Sequence, residues 1–445
     1  MVSFGGRAAF IGGRRQRLSP VDTAWFRMEQ RETPADIVAL MAFDGEVDEV
    51  RLREVIEERL LVHPKFRCRV AESRLSMARP RWTEETRFSL GDHLARVRVE
   101  PGAGRFDPYV ALASYINEPT DFTRSPWKAW HVSGAPGGSL LLVRVHHCMG
   151  DGFALLDLLL RVADPDGQPE HGAARHLPRH ARRRALTKAL ALLRETPRGL
   201  VDLGHLVSLP FDRPSRLRRK PAGERRVAAS NGVPLTRVKA LAHAYGATVN
   251  DVLLAALAGA LGRYLALRGD SASAFRAIVP VNLRPHSEPI DEQHGNWFGL
   301  VYVDLPLAEP DREARLGRIR QSVARIKASH EPGLSLALMN LLGRVPGAIE
   351  HVVDEFFARK ATVVVTNVPG PRKPLFVAGR RVRDLVFWAP HPSGLSCGAS
   401  ILSYAGTVRV GIRTDGAVVR DPELIARYFD DELTAWEGNL RAAHA

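Results

Sequence analysis

The chain has 445 residues, too many for one ordinary core and enough for two domains of about 200 residues each. Its 45% hydrophobic and 25% charged content is that of a globular protein. The formal net charge of +14 is uneven, because residues 171–230 hold 15 Lys/Arg against 4 Asp/Glu, with Phe211 as their only aromatic. A nucleic-acid binder that stacks bases needs aromatics among its basic residues. That class is set aside, and the segment reads as a solvated linker or as a patch for anionic lipid or CoA phosphates.

Three cysteines, Cys68, Cys148 and Cys397, have no motif spacing and cannot all pair, so a reducing cytoplasm is the expected home. The N-terminus, with Arg7, Arg14, Arg15 and Arg17, lacks the apolar stretch of a signal peptide. The longest apolar run, 252–262, is well short of the roughly 20 residues of a membrane span. A soluble or peripherally bound protein is expected.

In chain order, residues 1–17 form a Gly/Arg-rich leader and the fold opens at Leu18. Residues 37–43 read as a strand. Asp48 can cap a helix with Leu52, Val55, Ile56 and Leu60 on one face, ended by Pro64. Short strands follow at 66–70 and 81–82, then a helix through 113–117 and a stretch at 125–130 with Trp127 and Trp130 as core aromatics. Residues 139–145 have strand character, and 153–161 carry leucines at helical spacing. Residues 182–194 form an amphipathic helix, basic at its start, and 199–207 add apolar surface that suits a lipid interface or the protein body. Thr236 caps a helix that Gly246 ends. Thr248 caps a long apolar helix at 249–267, so Asn250 and Asp251 fall in its first turn, where an acidic residue complements the helix dipole. Strands at 277–281, 300–305 and 362–367, a helix at 311–327, a hairpin of 399–404 with 407–413, and a final helix from Pro422 complete the chain.

The chemistry concentrates where a strand gives way to a helix, in Arg144-Val-His-His-Cys-Met-Gly-Asp-Gly-Phe-Ala154. Gly150 and Gly152 bracket Asp151 and admit a sharp backbone path. Histidine suits proton transfer near neutral pH. Adjacent residues on an extended segment point to opposite sides, so one of His146 and His147 is the base and the other packs. The residues alone also fit a merely polar strand end. Cys148 reads as a small filler. The adjacent histidines lack the spacing of helical zinc ligands and have no companion cluster, so no metal is expected.

His146–Gly152, HHCMGDG, resembles the HHxxxDG signature of the chloramphenicol-acetyltransferase-like superfamily of CoA- and carrier-dependent acyltransferases. Four further stretches resemble the bacterial wax ester synthase/diacylglycerol acyltransferase family in particular and run in its order: Leu18-Ser-Pro-Val-Asp22, Ser125-Pro-Trp127, Val249-Asn-Asp-Val252 and Thr366-Asn-Val-Pro-Gly-Pro371. The second departs from that family's Pro-Leu-Trp by placing Ser125 and Pro126 before Trp127, and it is given no catalytic role.

The resemblance implies an α/β fold of mixed sheets. Residues 1–165 would form one chloramphenicol-acetyltransferase-like lobe carrying HHCMGDG and 231–445 the other. The basic crossover 166–230 would join them, with the active-site channel at their interface. It implies transfer of a long-chain acyl group from acyl-CoA to a fatty alcohol or a diacylglycerol. His147 is then the general base, with His146 beside it, and the alcohol attacks directly without an enzyme nucleophile. Asp151 and Gly152 support the loop, Asp151 by a salt bridge for which Arg284 is the candidate. Asn250 is the first candidate for the oxyanion donor, and Thr366 and Asn367 are the second. Acyl-CoA is a co-substrate, and no separate cofactor is implied. The expected partners are long-chain acyl-CoA, the hydroxyl acceptor and an anionic membrane or lipid-droplet surface met by the basic linker, and no nucleic acid. The expected location is cytoplasmic, with peripheral contact to the inner membrane or droplets. Two other readings stay open: a condensation-type or alcohol acyltransferase of the same superfamily, and a non-catalytic lipid-binding protein of the same fold.

Overall fold

A computed structural model describes residues 16–72, 78–100, 106–164, 197–283, 296–391 and 394–443. Two mixed sheets organise it. The first runs, edge to edge, Phe376–Val377, Arg380–Trp388, Asp36–Phe43, Leu140–His146, Trp127–Ser133 and Leu94–Arg98. The second runs Phe298–Pro306, Ala274–Asn282, Val363–Pro369, Cys397–Tyr404, Thr407–Asp415 and Arg225–Ala229, with Val233–Pro234 also paired to Thr407–Asp415.

The expected divisions at 165 and 230 do not follow these sheets. The Arg380–Trp388 strand, from the second half, pairs antiparallel with Asp36–Phe43 and completes the first sheet. The Arg225–Ala229 strand, from the crossover, pairs with Thr407–Asp415. Where the sheets meet, the Trp388 indole donates to Ala228 O at 3.0 Å. A Cβ on Gly411 would stand 2.6 Å from Phe387 O, so glycine permits that approach.

The central strands of the first sheet are buried on both faces, and their successive side chains point to opposite ones. Val38, Leu40, Trp130, Leu142 and Trp388 pack on one face with Leu112 and Ile116 of the Pro108–Ile116 helix. Ile37, Met41, Trp127, Leu141 and Val145 face the other way, toward the Gly152–Val162 helix.

The Val249–Leu267 helix is the axis of the second core. Thr248 and Asp251 cap it reciprocally: the Thr248 amide donates to Asp251 Oδ2 at 2.9 Å, and the Asp251 amide donates to Thr248 Oγ1 at 3.2 Å. It is the one described helix long and apolar enough to cross a membrane. Leu253, Leu254, Leu257 and Leu261 are instead buried against the sheet and against Phe429 and Leu433 of the Pro422–Ala443 helix.

The helix expected to start at Thr236 begins at Leu235, after Pro234, and Thr236 makes no cap. The 182–194 stretch lies outside the described residues. The 199–207 stretch lies within the Pro197–Ser208 helix, where Leu206 is buried against Ile278, Tyr302 and Val364 while Val201 and Val207 are exposed.

Candidate active site

The Leu140–His146 strand is paired on both sides, by Asp36–Phe43 and by Trp127–Ser133. Its end is held by amides: His146 N donates to Pro126 O at 2.9 Å and His147 N to Ala35 O at 2.7 Å. One 3-10 turn, His147–Met149, carries the chain to the Gly152–Val162 helix. Gly150 has φ 169°, which is extended backbone, and Gly152 opens the helix with a φ outside the left-handed region. The sharp glycine-dependent path expected here is therefore absent. The turn is made by hydrogen bonds.

The two imidazoles diverge as strand alternation requires. His146 is buried beside Phe26 and Phe122, with Nε2 3.3 Å from Glu29 Oε2. Glu29 also accepts the Ala35 amide at 2.6 Å. Burial opposes a charge on His146, but the neighbouring Cys148 and Glu29 outweigh it and raise the pKa. The Cys148 amide points its hydrogen at Nδ1, 3.1 Å away, so the ring carries its own hydrogen on Nε2, toward Glu29. His146 anchors the loop.

His147 turns toward the second sheet. Its ring stacks on Trp25, centroids 3.8 Å apart and 11° from parallel, with Phe298 at 5.8 Å. Its backbone carbonyl accepts from Asn296 Nδ2 at 2.8 Å, and the same amide donates to the buried Asp22 at 2.8 Å. Nδ1 is sealed from solvent without a hydrogen-bond partner, which leaves Nε2 as the nitrogen that reaches the adjoining cavity. Burial pushes the His147 pKa down to about 3. The ring is neutral at physiological pH, with a lone pair on the nitrogen that carries no hydrogen.

That cavity, ≈ 60 Å³, takes its polar lining from His147, Asp151, Asn282, Thr366 and Asn367. It adjoins a second cavity of ≈ 150 Å³ beneath the Gly152–Val162 helix, and Ile37, Gly152, Val368 and Phe387 line both. Gly152 therefore sits at a neck, where an added Cβ would meet Val368 Cγ2 at 3.6 Å. The larger cavity is apolar almost throughout.

The remaining expected residues are placed as follows. Asp151 is buried, its Oδ1 accepting Ala154 N at 2.8 Å and its Oδ2 accepting Trp297 N at 2.9 Å. It caps the helix and ties the loop to the second sheet. Arg284, its expected partner, lies outside the described residues. Thr366 and Asn367, on the Val363–Pro369 strand, line the His147 cavity. Asn250 does not line it and reaches it through Asn367, whose Nδ2 donates to Asn250 Oδ1 at 3.0 Å.

Sequence reasoning missed Trp25, Glu29 and Asn296. Trp25 had a signal: it stands three residues after Asp22 on the Pro20–Arg27 helix, hence on the same face.

Comparison with known proteins gives a consistent outcome. Residues 18–253 match the profile described as the wax ester synthase/diacylglycerol acyltransferase catalytic domain, and residues 294–437 match its C-terminal domain. A Mycobacterium tuberculosis protein named as a probable diacylglycerol O-acyltransferase is 26% identical over 439 residues, covering 94% of each chain. The wax ester synthase/diacylglycerol acyltransferase of Marinobacter aquaeolei VT8 superposes with a TM-score of 0.69 at 22% identity, covering 95% of this chain and 99% of that one. The first condensation domain of the calcium-dependent antibiotic synthetase superposes at 0.62 with 16% identity, covering 95% and 96%.

Proposed function

Because the chain belongs to the wax ester synthase/diacylglycerol acyltransferase family, and so is an acyltransferase, we propose that it moves a long-chain acyl group from acyl-CoA to the hydroxyl of a fatty alcohol or a diacylglycerol. The observation that carries this is one arrangement: a neutral His147 in a largely apolar cavity with Thr366 and Asn367 on its wall, which adjoins, at the Gly152–Val368 neck, a second apolar cavity.

The acceptor hydroxyl gives its proton to His147 Nε2 as its oxygen attacks the thioester carbonyl. The negative charge that develops on the carbonyl oxygen needs donors already in place. The Thr366 hydroxyl and the Asn367 amide are the nearest candidates, with Asn250 holding Asn367 in position. As the C–S bond breaks, His147 returns the proton to the departing CoA thiolate. Trp25 and Phe298 keep water from the ring, which supports transfer over hydrolysis.

The test is CoA release from palmitoyl-CoA against hexadecanol, shorter alcohols and diacylglycerol, with no carrier protein added. Turnover with free acyl-CoA supports the reading. A strict need for a carrier-bound acyl group favours a condensation-type enzyme instead, and no turnover in either format sinks the catalytic reading.

A further inference from the structure

The Pro197–Ser208 helix lies on the second sheet with polar side chains turned toward the protein. Asp202 Oδ2 accepts the His330 amide at 2.9 Å and stands 2.8 Å from that residue's Nδ1. His205 Nδ1 is 3.3 Å from Oε1 of the buried Glu331. Leu206, on the same side, packs on Ile278, Tyr302 and Val364. At 3.6 residues per turn, Val201, Gly204 and Val207 fall opposite Asp202 and Leu206. Both valines are exposed, Val201 by 67%. An amphipathic helix ordinarily turns its apolar stripe to the core and its polar side to water. Here apolar side chains are left outside while an aspartate and a histidine make ion pairs inside.

The outer stripe continues past the helix. Phe211, also exposed, meets Phe356 edge-on with ring centroids 5.6 Å apart. Phe356 stands on the Gly347–Ala358 helix, seven residues after Ile349 and four after Val352, hence on one face with them. Ile349 and Val352 are exposed, the latter by 67%. The buried Lys360 joins the two helices, its Nζ donating to Val207 O at 2.8 Å and lying 4.3 Å from the Phe356 ring centre. Single apolar side chains are ordinary on a surface, whereas a joined patch marks a contact.

The edge of this patch is cationic. Arg359 is exposed and holds its guanidinium 4.4 Å over the Phe211 ring. Arg213 is exposed two residues beyond Phe211. Residues 209–220 hold five Lys/Arg against one Asp. Glu355 is the opposing charge, exposed about a quarter-turn round its helix from the apolar stripe. A second copy of this chain would set the same cationic edge against itself. An anionic bilayer offers phosphates to the guanidiniums and an acyl boundary to the valines and the phenylalanine.

We propose that the outer faces of the Pro197–Ser208 and Gly347–Ala358 helices, joined at Phe211, form a docking surface for an anionic phospholipid bilayer. Val201, Val207, Ile349 and Val352 enter the boundary between headgroups and acyl chains, and Arg213 and Arg359 meet the phosphates. The surface lies one side chain from the chemistry, because Leu206 packs on Ile278 and Val364, which line the His147 cavity. Docking goes beyond the acyl-transfer reading and is measured without turnover, so either can fail alone.

The full chain is sedimented with vesicles of phosphatidylcholine alone and of an equal mixture with phosphatidylglycerol. The wild type is compared with Val201→Asp/Val352→Asp, with Arg213→Glu/Arg359→Glu, and with Val110→Asp as a control at a valine 71% exposed on the Pro108–Ile116 helix. The wild type partitions onto the mixed vesicles, more weakly onto phosphatidylcholine, and less as salt is raised. The valine pair lowers partitioning at least about tenfold, the arginine pair at least about fivefold, and Val110→Asp leaves it unchanged. Melting temperatures identify folded variants, and either pair carries the test if the other misfolds. Wild-type partitioning by both folded pairs overturns the docking surface. Failure of the wild type to bind the mixed vesicles overturns it as well. If light scattering then shows a dimer that the valine pair dissociates, the occupant is a second copy instead.

Discussion

At the scale of single residues the site is a fixed imidazole in a dry setting. Trp25 sets the plane of the His147 ring by stacking, and Asn296 sets its backbone by donating to its carbonyl. Burial removes its charge. Across the cavity, Thr366 and Asn250 stand in different relations to the chemistry, since one lines the space and the other acts through Asn367. Thr366→Val is therefore expected to lower kcat by about 10²–10³, as for a lost oxyanion donor, with little change in KM. Asn250→Ala is expected to cost less than Thr366→Val. The reverse order in steady-state kinetics would return the oxyanion role to Asn250. The sequence pointed to His147 because its neighbours form a contiguous signature. It was silent on Asn296, because only the packed second sheet brings that side chain to a loop 149 residues earlier in sequence.

At the scale of elements the loop depends on Asp151. One oxygen caps the Gly152–Val162 helix and the other holds the Trp297 amide. Asp151→Ala removes a cap worth about 0.5–2 kcal/mol and leaves a Trp297 donor at a cost of about 1–3 kcal/mol. A stability loss of roughly 2–4 kcal/mol in urea unfolding is expected, together with a fall in kcat as His147 loses its footing. A loss below about 0.5 kcal/mol would refute the double role. Legibility also varied with the element. The Val249–Leu267 helix and the Cys397–Tyr404 and Thr407–Asp415 hairpin stand out, because cap, periodicity and turn agree in each. The Arg380–Trp388 strand was missed: it begins Arg-Arg-Val-Arg-Asp, and a register shift between Val382 and Asp384 breaks its alternation. The Glu331–Leu342 and Gly347–Ala358 helices were missed too, the first behind a Pro332-Gly333 pair that reads as a turn.

At the scale of the molecule the two sheets are locked by one buried carboxylate among three guanidiniums. Asp36, the strand partner of His146, accepts from Arg413 of the second sheet at 2.6 Å, and the same guanidinium donates to Asp36 O at 2.8 Å. Arg144 stands 3.9 Å away. Burial alone would raise the Asp36 pKa, but the charges of Arg413, Arg144 and Arg225 overcome it and hold the carboxyl ionised. Asp36→Asn leaves buried positive charge uncompensated directly behind the histidine loop. Its expected cost is about 3–5 kcal/mol, read from chemical denaturation, and a change under about 1 kcal/mol would mean that the junction does not depend on this charge cluster. This junction was not legible beforehand, because its members come from four strands and carry no local pattern.

The central claim is that His147 takes the acceptor's proton, and the most direct measurement is CoA release from palmitoyl-CoA and hexadecanol by the wild type, His147→Ala and His146→Ala at matched folded fraction. The account predicts a fall of at least about a hundredfold for His147→Ala, at a melting temperature close to that of the wild type, and for His146→Ala a loss of stability that outweighs its loss of turnover. Wild-type turnover by a folded His147→Ala protein would contradict it.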